Sequence, residues 1–308
     1  MKAQRQVWGE TLHELSKTDD RVVILDGDLA TSTKADIMAA ENPDAFVQVG
    51  IAEQNMVGMA VGMATLGYRP WLSTFGVFLS NRALDQIRML VSQTKLPVRL
   101  AAAYSGLLNG AAGKTHQDIE DLAVMRALPN MTVLAPADEY ELEAMIRWAA
   151  DFDGPLYMRV ARDPVKPVFT EAYTEFELGK PRVVREGTDV TLISTGVQTS
   201  RTVEAAELLA EQGVSAKVIH LASLKPVDGD ALLSLIGDAP RVFTVEEHTK
   251  INGLGSLVAE LLIESDKTTR LTRIGLEDGW SESGPNDFLL DKYGISPKRV
   301  AEQVLAAK

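Results

Sequence analysis

Short apolar runs recur along the chain at intervals that leave room for a helix between successive runs. Each run is bounded by turn-forming residues, and the intervening segments carry helical patterns. Such a series indicates a parallel sheet whose two faces are covered by helices. In the first half the runs span residues 21–30, 45–52, 69–75, 96–104, 131–138 and 155–162.

The alternation breaks in a polar stretch that is rich in proline and glycine, which is typical of a linker. It then resumes with apolar runs at 189–196, 215–224, 241–248 and 269–276, and with helical patterns at 200–212, 228–236 and 255–264. The sequence therefore predicts two open α/β domains with mostly parallel sheets. We place them at residues 1–165 and 189–308, joined by a linker over 166–188.

Composition limits the function classes that remain. The 308 residues are 45% hydrophobic and 24% charged, with a formal net charge of −12. This acidic balance argues against nucleic acid as a partner and favours small molecules or other proteins. The absence of cysteine excludes disulfides and thiolate chemistry, and no apolar run reaches the length of a membrane span. We therefore expect a cytoplasmic protein that binds neither nucleic acid nor membranes.

The common nucleotide and metal motifs are missing from the sequence. There is no GxxxxGK[ST] loop, no GxGxxG after a strand and no HExxH pair, and the four histidines are widely spaced. We expect neither a nucleotide site of those kinds nor a metal site on this chain.

Polar and aromatic side chains at strand ends are the first candidates for a site. In "LDGDLATST", Asp28 and Ser32 follow a predicted strand, where open α/β sheets place ligands, although turn and capping roles explain them equally. In "STFGVFLSNRALDQIRML", Phe75 and Phe78 have the spacing of one helical face. Packing in the core and stacking on a flat heterocycle both fit that pair.

Two ionisable residues also lie in unusual surroundings. Glu53 opens the apolar helix of "GIAEQNMVGMAVGMA", so it is either a first-turn carboxylate at the helix dipole or a buried functional group that needs a partner. His116 follows the Gly- and Ala-rich loop "NGAAGKTHQ", where it is either a surface group or part of a loop that closes over a ligand.

In their order and spacing these segments resemble the thiamine-diphosphate enzymes of the transketolase family. The similarity runs nearly end to end, and it is closest to the C-terminal subunit of a split transketolase, which holds the pyrimidine-binding and C-terminal domains. It is carried by "GETL", "LDGDLATST", "GIAEQNM", "STFGVFLSNRALDQIR", "GKTHQDIEDLA", "LYMRVAR", "FTVEEH" and "NGLGS".

The resemblance implies roles for the candidate residues. Glu53 matches the glutamate that hydrogen-bonds N1′ of the cofactor's aminopyrimidine and favours the tautomer that removes the thiazolium C2 proton. It implies that Phe75 and Phe78 surround the aminopyrimidine, that Asp28 lies near the thiazolium and that His116 contacts the donor hydroxyls. The positions implied for the sugar phosphate are Arg162, Arg5 and Ser32.

The chain departs from the family in the loop that typically reads "HxG...GEDGxTHQ". Here it reads "AYSGLLNGAAGKTHQ", with Tyr104 in place of a histidine and Ala112 in place of an aspartate that contacts the donor. A lost hydrogen-bonding group costs about 1–3 kcal/mol when its partner remains. We therefore expect a modified donor, such as a branched, deoxy or sulfonated ketose phosphate.

The family's magnesium and diphosphate motif is absent from its expected context. The resemblance therefore implies that Mg²⁺ is bound by a separate N-terminal, diphosphate-binding subunit. We expect the chain to be inactive alone and to assemble as a heterotetramer with that partner or as a homodimer core.

Three other functions fit the same segments. The β subunit of a 2-oxoacid dehydrogenase shares both domains and the glutamate, although "GKTHQDIEDLA" favours transketolase. A 1-deoxyxylulose-5-phosphate-synthase-like enzyme shares "GIAEQ" and "RALDQ"-type segments but is normally one long chain. A catalytically silent regulatory subunit would explain Tyr104 and Ala112 but not the retention of Glu53, Phe78, His116 and Arg162.

Overall fold

The computed structural model describes residues Met1–Ala307, which cluster into two compact units. The first unit comprises residues 1–105 and 124–176, and the second comprises residues 106–123 and 177–308. None of the helices in the described part of the chain combines the length and hydropathy that a membrane-spanning helix needs.

The first unit is built from alternating strands and helices. Its elements, with α6 containing the boundary between the units, are α1 (Gln4–Ser16), β1 (Val22–Asp26), α2 (Ala30–Thr33), α3 (Asp36–Glu41), β2 (Phe46–Gln48), α4 (Glu53–Thr65), β3 (Arg69–Phe75), α5 (Leu84–Gln86), β4 (Arg99–Ala103), α6 (Asp121–Ala127), β5 (Thr132–Leu134), α7 (Glu139–Asp151) and β6 (Leu156–Val160). Short 3₁₀ helices lie at Pro43–Ala45 and Gly110–Ala112, and π-helical segments flank α5 at Phe78–Arg82 and Ile87–Ser92.

The strands of the first unit pair in the order β5-β6-β4-β3-β1-β2, and every pairing between them is parallel. All residues of β1 and β4 are buried. Strands buried on both faces are what continuous apolar runs indicate. The predicted fold of this part of the chain is therefore confirmed.

The second unit contains a smaller sheet. Its elements are β7 (Arg182–Arg185), β8 (Val190–Ser194), α8 (Gln198–Glu211), β9 (Ala216–His220), β10 (Ser223–Lys225), α9 (Gly229–Ile236), β11 (Arg241–Thr249), α10 (Leu254–Ile263), β12 (Arg270–Leu276), α11 (Asn286–Lys292) and α12 (Pro297–Ala306). A 5-stranded sheet runs in the order β12-β11-β8-β9-β7, and only the β7–β9 pair is antiparallel. The mostly parallel sheet predicted for this half is also confirmed.

The boundaries between the units differ from a simple division of the sequence. Residues 106–123 cluster with the second unit, where Leu107 and Ile119 join its apolar core. Strand β7 lies within the segment 166–188, which the sequence analysis treats as linker. β7 is an edge strand of four residues, Arg-Val-Val-Arg, so it lacks the longer apolar run that marks the central strands.

Helix α4 is buried on one side and exposed on the other. One face is buried, including Met56, Val57 and Ala60, but Met59 is 37% exposed. Exposed apolar side chains also lie just before and just after α4, at Ile51, Leu66 and Tyr68. The π-helical segment Ile87–Ser92 exposes two more, Met89 and Leu90. These apolar residues are thus partly exposed in this chain.

Candidate functional site

Glu53 is the first residue of α4, and its side chain is only 2% exposed. Both carboxylate oxygens accept hydrogen bonds from Nη1 of Arg82, at 3.0 Å and 3.3 Å. A buried carboxylate is costly without such a partner. Of the two alternatives that the sequence left open, the structure shows a buried and paired Glu53, and the pairing group is a guanidinium.

Arg82 ends the π-helical segment Phe78–Arg82, and its guanidinium carbon lies 4.5 Å from the centre of the Phe78 ring. Segments of π-helix are frequent at functional sites. The backbone carbonyl of Arg82 accepts a hydrogen bond from Nε2 of Gln54 at 3.1 Å, which fixes this turn against α4. Sequence reasoning missed Arg82, although its spacing of four residues from Phe78 was a signal that the two side chains could meet.

The two phenylalanines belong to different elements. Phe75 is the last residue of β3, whereas Phe78 opens the π-helical segment, so the expectation that they share one helical face is wrong. Their ring centres are nevertheless 6.0 Å apart with an interplanar angle of 27°. Phe75 also stacks on Tyr104, with ring centres 4.7 Å apart. The aromatic cluster therefore extends from Glu53 and Arg82 to the end of β4.

Tyr104 follows β4 with φ of +61°, a conformation that is unusual for a bulky residue and is found most often at functional sites. Its ring is buried, and burial raises the pKa of its hydroxyl above the ordinary value. The hydroxyl accepts a hydrogen bond from Nη1 of Arg5 at 2.7 Å and donates one to the carbonyl of Ser32. The same guanidinium nitrogen of Arg5 donates to that carbonyl at 2.9 Å.

Arg5 and Arg162 both approach Tyr104, and each guanidinium carbon lies 5.7 Å from the centre of its ring. Both side chains are partly buried, and within residues 1–307 neither forms an ion pair with a carboxylate. Two guanidinium groups that approach the same ring without a carboxylate partner among these residues favour an anionic ligand. The structure thus brings the predicted phosphate-binding residues Arg5, Ser32 and Arg162 together around Tyr104.

The aspartates of "LDGDLATST" play different parts. Asp26, at the end of β1, is fully buried, and its Oδ2 accepts hydrogen bonds from the Leu29 amide at 2.9 Å and from Nε2 of Gln48 at 3.0 Å. Burial raises the pKa of this carboxyl. Asp28 has φ of +67° and an exposed side chain. Asp26 therefore stabilises the turn that follows β1, and the carboxylate of Asp28 lies at the surface.

His116 and Ala112 lie in the segment 106–123 of the second unit. His116 is half-buried, with Nδ1 2.8 Å from the hydroxyl of Thr115, and Ala112 is exposed. His116 and Ala112 therefore belong to the second unit, whereas the other residues that the resemblance assigns to the same site belong to the first unit.

A buried carboxylate that sequence reasoning missed anchors this segment. Oε1 of Glu247, on β11, accepts hydrogen bonds from the amides of Leu107 and Leu108 at 2.8 Å and 3.1 Å. Gly106 has φ of +87°, and a Cβ there would lie 2.4 Å from the same oxygen. The glycine is thus required by both backbone geometry and close approach. The two acidic residues of "FTVEEH" were the sequence signal for this anchor.

The geometry around Glu53 can be tested for the cofactor that the resemblance implies. The guanidinium of Arg82 shows that a flat group with an N–H donor fits against the Phe78 ring and within hydrogen-bonding distance of Glu53. An aminopyrimidine has the same two properties, so the residues present fit it. In the described residues, no group of three or more His, Cys, Asp or Glu side chains is placed to hold a metal ion.

Comparisons with solved structures and characterised proteins agree on one family. A solved structure described as a split gene transketolase, inactive beta4 tetramer, is 41% identical, with a TM-score of 0.91 over 100% of this chain and 98% of that one. The 6-deoxy-6-sulfo-D-fructose transketolase subunit of Clostridium sp. (strain MSTE9) is 36% identical over 96% of this chain and 91% of its own.

A longer relative matches along about half of its length. The 1-deoxy-D-xylulose-5-phosphate synthase of Cyanothece sp. (strain PCC 7425 / ATCC 29141) is 38% identical over 98% of this chain and 48% of its own. Family models also match both halves: residues 1–167 match the transketolase pyrimidine binding domain, and residues 179–300 match the transketolase C-terminal domain. With two α/β units and these matches, the chain belongs to the transketolase family.

Proposed function

We propose that the chain is a subunit of a thiamine-diphosphate-dependent transketolase, which transfers a ketol unit from a ketose phosphate or related sugar to an aldose phosphate. The observation that carries the proposal is the continuous cluster from the buried Glu53, through Phe78, Phe75 and Tyr104, to a pair of arginines that have no carboxylate partner within residues 1–307. A carboxylate beside a stacking surface and a separate anion site are the two features that such chemistry requires.

For the cofactor, this chain supplies the surroundings of the aminopyrimidine. When bound, thiamine diphosphate provides the carbon nucleophile and the electron sink for breaking the bond between two sugar carbons. Glu53 would accept or share a proton with N1′ of the bound group, which a carboxylate shielded from water can do. Phe78 would stack on the aminopyrimidine, with Phe75 packed against Phe78, and Asp28 would contribute on the thiazolium side. We assign Mg²⁺ and the diphosphate to a partner subunit.

For the sugar, Arg5 and Arg162 bind the terminal anionic group, with the carbonyl of Ser32 fixing Arg5. The Tyr104 hydroxyl is engaged by Arg5 and Ser32, so Tyr104 acts by holding Arg5 in place. His116 contacts the donor hydroxyls, and Ala112 leaves open the place of an aspartate. A modified donor is supported by the relative that acts on 6-deoxy-6-sulfo-D-fructose, because a sulfonate and a phosphate offer similar oxygens to guanidinium groups.

Assembly is part of the proposal. The exposed apolar residues of α4 and of the segment Ile87–Ser92 form a surface that a second subunit could cover. The related split transketolase structure is an inactive tetramer of one chain type. We therefore propose that this chain is inactive alone and requires an N-terminal, diphosphate-binding subunit, with a heterotetramer as the active form in the cytoplasm.

The test is ketol transfer by the chain co-purified with its N-terminal partner, with thiamine diphosphate and Mg²⁺, across phosphorylated and sulfonated ketoses. Turnover should require both chains, and a modified donor should exceed xylulose 5-phosphate in kcat/KM. Turnover by this chain alone would contradict the assembly, and the absence of turnover with every donor would favour a silent subunit.

The match to 1-deoxy-D-xylulose-5-phosphate synthase supports a second candidate, condensation of pyruvate with an aldose phosphate after loss of CO₂. The same complex incubated with pyruvate distinguishes the two, since only this candidate, or a 2-oxoacid dehydrogenase activity, releases CO₂.

A further inference from the structure

We propose that Arg82 occupies the aminopyrimidine half-site in the resting chain and must withdraw from Glu53 before the cofactor can bind. This inference rests on the proposed function and concerns how the same site is controlled. It assigns a role to a residue that the proposed chemistry does not use.

The first argument is geometric. The Arg82 guanidinium makes the two contacts that an aminopyrimidine would make: it lies over Phe78, 4.5 Å from the ring centre, and it donates to the Glu53 carboxylate at 3.0 Å. One flat group fills that place at a time. The guanidinium and the aminopyrimidine therefore compete for Phe78 and for Glu53.

The second argument is electrostatic. Glu53 is 2% exposed, and among the described residues Arg82 supplies the hydrogen bonds to its carboxylate. Because the guanidinium engages both carboxylate oxygens, the ion pair has to open before Glu53 can form a hydrogen bond to N1′.

The third argument concerns which part of Arg82 can move. Its backbone is held by the hydrogen bond from Gln54 and by the π-helical turn, in which the amide of Ala83 donates to the carbonyl of Phe78 at 3.0 Å. Its side chain, however, is 49% exposed. The guanidinium can therefore turn into solvent without any change in the fold, and its own hydration offsets part of the lost contact.

Competition predicts that removing the guanidinium strengthens aminopyrimidine binding. Ion pairs with an exposed partner and cation–π contacts together contribute about 1–2 kcal/mol, which corresponds to about a fivefold to thirtyfold change in Kd. Arg82→Gln should therefore bind the ligand about fivefold or more tightly than the wild-type chain. Arg82→Lys, which keeps a charge without a planar group, should lie between them and covers the case in which Arg82→Gln fails to fold.

The experiment is an NMR titration of the full chain with 4-amino-2-methylpyrimidine, which carries the aminopyrimidine alone. Arg88→Gln is the matched control, because Arg88 is 51% exposed and pairs with Asp85 at 3.0 Å on the same stretch of chain. The proposal expects tighter binding by the Arg82 variants and unchanged binding by Arg88→Gln. Equal or weaker binding by both Arg82 variants would overturn it.

A further variant separates failure of this inference from failure of the proposed function. Glu53→Ala removes the hydrogen-bond acceptor and should weaken binding of the same probe. If Glu53→Ala weakens binding and the Arg82 variants do not strengthen it, the cofactor site stands and competition by Arg82 is refuted. If the probe binds none of the proteins, or binds Glu53→Ala as tightly as the wild type, both proposals are refuted.

Discussion

Replacement of Arg162 by glutamine tests the proposed anion site with little disturbance elsewhere. Arg162 lies 5.7 Å from the ring of Tyr104 and has no carboxylate partner among residues 1–307, so its loss leaves no buried acidic group unpaired. Arg5 is less suitable as a first choice, because its guanidinium also bonds Tyr104 and Ser32.

The size of the effect follows from the charge-assisted hydrogen bonds that Arg162 would make to the anionic end of the sugar. Such a bond contributes about 1.5–3 kcal/mol. Since 1.4 kcal/mol corresponds to a factor of ten, Arg162→Gln should raise KM for the donor about tenfold to a hundredfold. The cofactor contacts remain intact, so kcat should change much less. The double variant with Arg5→Gln should be weaker than either single variant.

The assay is steady-state ketol transfer by the assembled complex, with donor concentration and ionic strength varied. Arg21→Gln is the matched control, because Arg21 is similarly charged but pairs with Asp19 at 2.7 Å. The increase in KM caused by Arg162→Gln should shrink at high salt, because salt weakens the attraction in the wild-type protein. An unchanged KM in both single variants would refute the anion site.

Three further predictions concern stability, pH and positioning. Asp138 is buried and accepts hydrogen bonds from four backbone amides. Asp138→Asn should therefore lower the free energy of unfolding by about 3 kcal/mol and the unfolding midpoint by about 6–10 °C. Asp151→Asn, at a 92% exposed position, should change neither, and equal midpoints for the two variants would contradict this. Burial raises the pKa of Asp26, so its favourable contribution to the stability of the fold is present below the unfolded-state pKa and is lost as pH rises through the folded-state pKa. Asp26→Asn should therefore have a higher unfolding midpoint than the wild type at pH 8, and this difference should shrink toward pH 4. A difference that does not change with pH would contradict the prediction. Tyr104→Phe removes one of the two groups that hold the Arg5 guanidinium and should raise donor KM about threefold to tenfold with little change in kcat. A fall in kcat alone would argue against a positioning role.

Much of the fold could be predicted because each central strand is buried on both faces. The apolar runs that became β1, β4 and β8 are continuous, and their residues are all buried in the structure. Strand β7 lies at an edge and has only two valines between two arginines, so it carries no such run. The exposed face of α4 could not be predicted either, because an exposed apolar helix face has the same amino-acid composition as a buried one.

Sequence reasoning predicted which residues belong to the candidate site better than it predicted their contacts. Glu53 stood out because a carboxylate begins an apolar helix, and the structure buries it. Its pairing with Arg82 depends on a π-helical turn that no sequence pattern marks. The cluster of Arg5 and Arg162 around Tyr104 joins residues from α1, from the end of β4 and from beyond β6, which are distant in sequence. Only the folded sheet brings those residues together.

The central claim is that Glu53 works on a bound thiamine cofactor. The most direct measurement compares kcat for ketol transfer by complexes containing wild-type chain or Glu53→Gln, at matched assembly and saturating thiamine diphosphate. Proton sharing by a positioned side chain contributes about 10²- to 10⁴-fold, so the variant should lose at least about a hundredfold in kcat. A variant that assembles normally and keeps wild-type kcat would contradict the account.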